Sequence, residues 1–268
     1  PALRYSMSIG SHGMAWLPAV SSVPGRAAAP ARREYWEHAA PNRPLTRWFG
    51  GTSPDHRTEI ATLAEALART GLHMEYILFD DCYMSSVEVA YELRGVTDYL
   101  IGSTSEIMAY GFPYASAGRH MLGEVDYEGI CDAFHAFYST YTYPYGTIGV
   151  TRCAGLEKLA DIMRRINAAP KKSYAEELQS YEGMSSHIFY DLGHWVELAC
   201  GDAGLKEDFK AQLDKAFPQA ARLSTPGFYS AYNGRMNPVA YYSGVSFSEP
   251  SDKYVEENKQ TSWYRDTH

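Results

Sequence analysis

Apolar and polar positions along this chain switch between two periods, and each period predicts its own element. Tyr76-Ile77-Leu78-Phe79 is an unbroken apolar run, the pattern of a strand buried on both faces. It runs into Asp80, Asp81 and Cys82. Beyond them Met84, Val87, Tyr91 and Leu93 fall at spacings that share one face of a helix. Leu3 to Ile9 reads as an earlier short strand that ends in Gly10-Ser11-His12-Gly13. Between the two strands, Thr58 to Thr70 is amphipathic, with Ile60, Leu63, Ala64 and Leu67 apolar. Ser53-Pro54-Asp55 looks like the start of that helix and Gly71 fits its stop. Asp98 to Ser103 is the next strand. Strand, helix, strand, helix, strand is the grammar of a parallel sheet with helices on both faces. Right-handed crossovers then set successive loops along one edge, which gathers His12, Cys82 and Ser103 to Glu106.

The second half continues in kind. Residues 126–140 read as a helix packed on the sheet, 145–150 as a strand followed by a turn, and 156–168 as a further helix. Asp191 to Leu198 is an apolar helix, Glu207 to Phe217 an amphipathic one, and Val239 to Phe247 a last strand after a turn at Tyr232 to Arg235. Residues 14–52 are long and punctuated by Pro18, Pro24, Gly25, Pro30, Pro41, Pro44, Gly50 and Gly51. That stretch is either a solvated insertion or, through Arg26, Arg32, Arg33, Arg43 and Arg47, an exposed processing site.

Cys82 stands where a buried strand stops, at the carboxyl edge where open α/β sheets bind ligands. A helix N-terminus beside it would favour a thiolate. A buried structural cysteine is the competing reading. His12 lies 70 residues away in sequence, yet it too ends a strand. If the strands are parallel neighbours, base and nucleophile converge, and such pairs are recognised by that meeting. Gly13 beside the histidine would let substrate backbone approach.

Composition narrows the choice. A formal charge of −8 over 268 residues argues against a nucleic-acid surface and permits attraction of basic substrates. The four cysteines show no metal spacing and no dense disulfide framework. With Cys82 unpaired, one pair at most can form among Cys131, Cys153 and Cys200. No apolar run approaches the length of a membrane span. No glycine-rich phosphate loop follows a strand, which removes the nucleotide-binding doubly wound class.

His12-Gly13 after one strand and Asp80-x-Cys82 after the next resemble the signature of the caspase, legumain and gingipain clan of cysteine peptidases. The run from Asp80 through Leu93, then Ser103-Thr104-Ser105-Glu106-Ile107 and Gly111-Phe112-Pro113-Tyr114, is most similar to the clostripain family. The similarity extends from about residue 5 to Trp263.

The resemblance implies an α/β fold, a three-layer αβα sandwich with a mostly parallel, caspase-like sheet. Residues 1–125 would form the catalytic core and 126–268 its continuation, with added helices and a last strand. It implies a cysteine endopeptidase with a His12/Cys82 dyad, cleaving after Arg or Lys and activated by limited proteolysis. Gly13 and Cys82 would supply the oxyanion N–H groups, and Asp80, Ser103 and Glu106 would contact substrate. For Asp80 a helix-capping role competes with the pocket role, for Glu106 a structural role competes, and position 81, normally alanine in the family, is aspartate here. A catalytically silent binding or scaffold subunit, or a transpeptidase or ligase of the same clan, would share the fold. The expected partner is a protein or peptide substrate, with no nucleic acid and no membrane span. The family's first strand and helix are not visible ahead of Leu3, so they are expected either in a separate N-terminal light chain of the same precursor or in a segment that this sequence does not include. A bacterial secreted, periplasmic or cell-surface location follows from the resemblance alone. No cofactor is expected; calcium enters only by resemblance, since no loop carries the calcium-binding pattern.

Overall fold

The computed structural model describes residues 4–17, 36–37, 46–47, 58–141 and 144–268. The chain opens with β1 (Tyr5–Gly10), two short antiparallel strands β2 (Trp36–Glu37) and β3 (Thr46–Arg47), and α1 (Ile60–Thr70). Then come β4 (Met74–Asp80), α2 (Val87–Leu93), β5 (Thr97–Gly102), α3 (Tyr114–Ala117) and α4 (Tyr127–Thr140). The order continues with β6 (Thr147–Arg152), α5 (Leu156–Ala168), β7 (Tyr190–Asp191), α6 (Leu192–Ala199) and α7 (Ala203–Ala216). Strands β8 (Arg222–Ser224), β9 (Gly227–Ser230), β10 (Arg235–Pro238) and β11 (Ser246–Phe247) precede α8 (Val255–Asn258) and α9 (Ser262–Thr267).

Five strands form the main sheet in the order β1-β4-β5-β6-β8. β1, β4 and β5 run parallel, whereas β6 and β8 are antiparallel to their neighbours. Strand periodicity divides the core between two faces. Ile77 and Phe79 point into one cluster with α1, α2, α5, α6, α7 and α9. Tyr76 and Leu78 point into the other, which α3 and α4 cover. Helices on both faces of one sheet make the αβα sandwich, and they explain why β4 carries no polar residue between Tyr76 and Phe79.

Helix starts follow their capping chemistry. Asp126, Asp191 and Asp202 accept from the N–H groups of Gly129, His194 and Leu205 at 2.9, 2.8 and 3.0 Å. Asp202 starts α7 a turn ahead of the predicted Glu207. Gly71 ends α1 with φ 69°, the left-handed stop its sequence predicts. The predicted start at Ser53-Pro54-Asp55 lies outside the described residues, and α1 begins at Ile60.

Two expectations are corrected. Val239 to Phe247 is not one strand. β10 ends at Pro238, whose ring leaves no N–H for a ladder, and only Ser246–Phe247 pairs again. The helix after Cys82 begins at Val87, not at Met84, so Cys82 sits in a turn five residues earlier and is not seated on a helix N-terminus.

Candidate active site

Register decides what meets at the sheet edge. β1 and β4 pair in parallel from Ser6 opposite Tyr76 to Gly10 opposite Asp80. The turns that follow, Ser11-His12-Gly13 and Asp81-Cys82-Tyr83, therefore leave the sheet side by side. They are tied directly, because the Ser11 backbone N–H donates to Asp81 Oδ1. Gly13 is buried on the Cys82 turn. A Cβ there would lie 2.1 Å from the Cys82 carbonyl oxygen and 2.9 Å from Asp81 Cβ. Glycine is thus required by contact with the chain's own backbone. Asp81, the position that departs from the family pattern, is the residue that fastens the histidine turn.

The nucleophile turn is held from the other side by the loop after β5. Tyr83 N–H donates to Ser105 O at 3.1 Å and Ser85 N–H to Ser103 O at 2.9 Å. The Cys82 thiol points at Ile107 O, 3.7 Å away. Cys82 is buried, 8% exposed. Burial pushes its thiol well above the ordinary range, and the carboxylates of Glu106, Asp81 and Asp80 push in the same direction. The thiol in this form is protonated at neutral pH.

The remaining predicted residues fall as follows. His12 is half-buried at the same edge. Asp80, 1% exposed, accepts from Tyr114 Oη at 3.3 Å, and Tyr114 itself is exposed at the start of α3. Ser103 is fully buried, its hydroxyl 2.8 Å from Thr147 Oγ1. Glu106 Oε1 accepts from Tyr83 Oη, Ser230 Oγ and the Ala231 N–H at 3.0, 2.7 and 2.9 Å. Thr147 and Ser230 carried no visible signal in the sequence, because both approach from more than 40 residues away. A surface groove of about 650 Å³, lined by Arg119, His120, Asp126 and Phe137 among others, lies against α3 and α4 and includes neither Cys82 nor His12. It is not the chemistry-bearing site. Among the described residues no group of three or more His, Cys, Asp or Glu side chains could hold a metal ion.

Comparison with known proteins decides the lineage. A clostripain-family model matches residues 36–260. The chain belongs to the clostripain family. Its fold is shared with a secreted cysteine protease of the family from Bacteroides thetaiotaomicron, iotapain, at 46% identity and TM-score 0.86, covering 100% of this chain and 73% of that one. A clostripain from the same organism, in complex with the peptide inhibitor BTN-VLTK-AOMK, is 47% identical with TM-score 0.78, covering 82% of this chain and 99% of that one. An inactive zymogen protease of the family from Parabacteroides distasonis is 30% identical with TM-score 0.77, covering 100% and 71%. No curated protein sequence matches the chain. This clostripain-family chain is a cysteine peptidase with the α/β sandwich of its relatives, and none of its described helices is long and apolar enough to cross a membrane.

Proposed function

We propose that this chain is an endopeptidase in which Cys82 attacks the scissile carbonyl and His12 delivers the proton to the leaving amine. The observation that carries this reading is the parallel pairing of β1 with β4, which ends both strands at one edge and packs Gly13 onto the Cys82 backbone. The Cys82 sulfur bonds to the carbonyl carbon as the peptide C–N bond breaks. The thiol proton passes by way of His12 to the departing amine, and water then hydrolyses the thioester. The backbone N–H groups of Gly13 and Cys82 are the oxyanion donors in this scheme, each worth about 2.7–4 kcal/mol in such sites. A buried, protonated thiol describes a resting form, so attack requires substrate or limited proteolysis to open the site.

For specificity we assign Asp80 to a basic side chain before the scissile bond. It is a buried carboxylate two residues from Cys82, and it accepts a hydrogen bond from the exposed Tyr114. An entering Arg or Lys would displace Tyr114 and gain a charge-assisted bond. The inhibitor held by the Bacteroides thetaiotaomicron clostripain carries VLTK, which ends in lysine. Secretion and zymogen activation are read across from relatives described as secreted and as an inactive zymogen. Among the described residues β1 is paired on one side only. Its outer edge suits a strand from a separate light chain.

The test is hydrolysis of fluorogenic peptides ending in Arg, Lys, Ala, Leu or Asp, by the chain as given and after limited trypsin treatment with the trypsin then removed. Cleavage after Arg and Lys is expected, lost in Cys82→Ala and weakened for basic peptides alone in Asp80→Asn. Activity surviving Cys82→Ala overturns the nucleophile. Cleavage confined to apolar peptides overturns Asp80.

A further inference from the structure

The residue after the nucleophile has a backbone that tyrosine rarely adopts, with φ 64° at Tyr83. A left-handed non-glycine residue costs on the order of 1–3 kcal/mol and persists only where its surroundings hold it. Here the Tyr83 ring stacks on Phe189 with centroids 4.9 Å apart, and its hydroxyl donates to Glu106 Oε1 at 3.0 Å. The same carboxylate oxygen accepts from Ser230 Oγ and the Ala231 N–H, where β9 turns toward β10. One residue further, Tyr232 Oη lies 3.4 Å from Met14 Sδ, beside Gly13. The β9–β10 hairpin thus touches the loop that carries His12 and reaches the Cys82–Tyr83 turn through Glu106.

We propose that Glu106 is a positioning residue for the peptidase reaction, its carboxylate fastening the Cys82–Tyr83 turn to the β9–β10 hairpin through Tyr83. This rests on Cys82 being the nucleophile and takes Glu106 out of the substrate-contact role expected for it. A carboxylate that binds substrate must face the pocket with lone pairs to offer. One Glu106 oxygen already serves three donors, so that atom has no lone pair left for a substrate. Its charge has a second effect. After burial, Glu106 is the strongest influence raising the Cys82 thiol. The group that orders the turn therefore also adds to the effect of burial on the resting thiol.

The test measures kcat and KM on Arg, Lys and Leu peptides, together with the pH profile of Cys82 alkylation by iodoacetamide, located by mass spectrometry. The proteins are wild type, Tyr83→Phe, Glu106→Ala and Glu106→Gln. Tyr83→Phe and Glu106→Ala should lower kcat by about 10- to 100-fold, the scale of a misplaced reacting group, with KM and the preference for basic peptides unchanged. Glu106→Gln keeps an acceptor oxygen without the charge. It should restore most of the kcat lost in Glu106→Ala and alkylate at lower pH than wild type. A selective rise in KM for Arg and Lys peptides in Glu106→Ala overturns the proposal in favour of a specificity role. Wild-type kcat and alkylation in Tyr83→Phe overturns the clamp. If Glu106→Ala fails to fold, Tyr83→Phe and Glu106→Gln decide. Alkylation needs no turnover, so a wrong nucleophile shows separately, as activity persisting in Cys82→Ala.

Discussion

At position 88 a carboxylate stands where an apolar side chain would be ordinary. Glu88 is 2% exposed on α2, taking hydrogen bonds from Ser86 Oγ at 2.5 Å, Ser248 N–H at 2.8 Å and Asn258 Nδ2 at 3.4 Å. Ser248 Oγ in turn accepts from Trp16 Nε1 at 2.9 Å. One acid thereby joins the core helix, the C-terminal tail and the segment just after the histidine turn. Burial pushes the Glu88 carboxyl up from 4.5 to about 6, against the pull of its donors. Because the folded value exceeds the unfolded one, the contribution to stability is fully present below about pH 4.5 and is lost as pH rises through 6. Its size is about 2 kcal/mol. Urea unfolding of wild type and Glu88→Gln at about pH 4.5 and about pH 7.5 should show a smaller pH dependence in the variant by that amount. Equal dependence in both proteins would remove Glu88 as the titrating group.

At the scale of elements, the antiparallel strand β6 does what the parallel part of the sheet cannot. It brings Thr147 against the loop that leaves β5. Thr147 Oγ1 accepts from the N–H groups of Thr104 and Ser105, both at 3.1 Å, and meets the Ser103 and Thr104 hydroxyls at 2.8 and 2.9 Å. That loop supplies Ile107 O to the thiol and Glu106 to the nucleophile turn. Thr147→Val keeps the shape and deletes the acceptor, leaving a buried N–H that costs about 1–3 kcal/mol. Calorimetry should show Tm lower by about 2–4 °C for each kcal/mol lost, and peptide hydrolysis should fall with it. A stability loss with unaltered kcat would separate the loop's anchor from the chemistry.

At the scale of the whole molecule, the fold closes over Cys82. Cys82, Cys131, Cys153 and Cys200 are all unpaired and all buried. Burial raises the thiols of Cys82, Cys131 and Cys153. A disulfide reagent should therefore titrate less than one thiol per native chain within minutes, and all four in guanidinium. Limited proteolysis that opens the site should make Cys82 the first to react. Rapid labelling of Cys82 in the untreated protein would mean that the closed form is not the resting one.

Local pattern was enough for most strands and helices of the sheet, though not for residues 239–247 or the start of the helix after Cys82. Ile77 to Phe79 reads as a doubly buried strand, Gly71 fits a helix stop, and alternating strands and helices with right-handed crossovers send His12 and Cys82 to one edge. Those are properties of spacing and of single residues, and they are legible without partners. The Asp-x-Cys and His-Gly motifs carried the family for the same reason. What only the tertiary structure decided depends on meetings between distant residues. Gly13 faces the Cys82 carbonyl, Asp81 holds Ser11, and Thr147 anchors Ser103 to Ser105. Glu106 meets Ser230 across 124 positions of chain. The thiol's protonation belongs to this class too, because it follows from burial and from three carboxylates brought near by folding. A hydrogen bond or a field is set by distance in space, and a linear pattern records only distance along the chain.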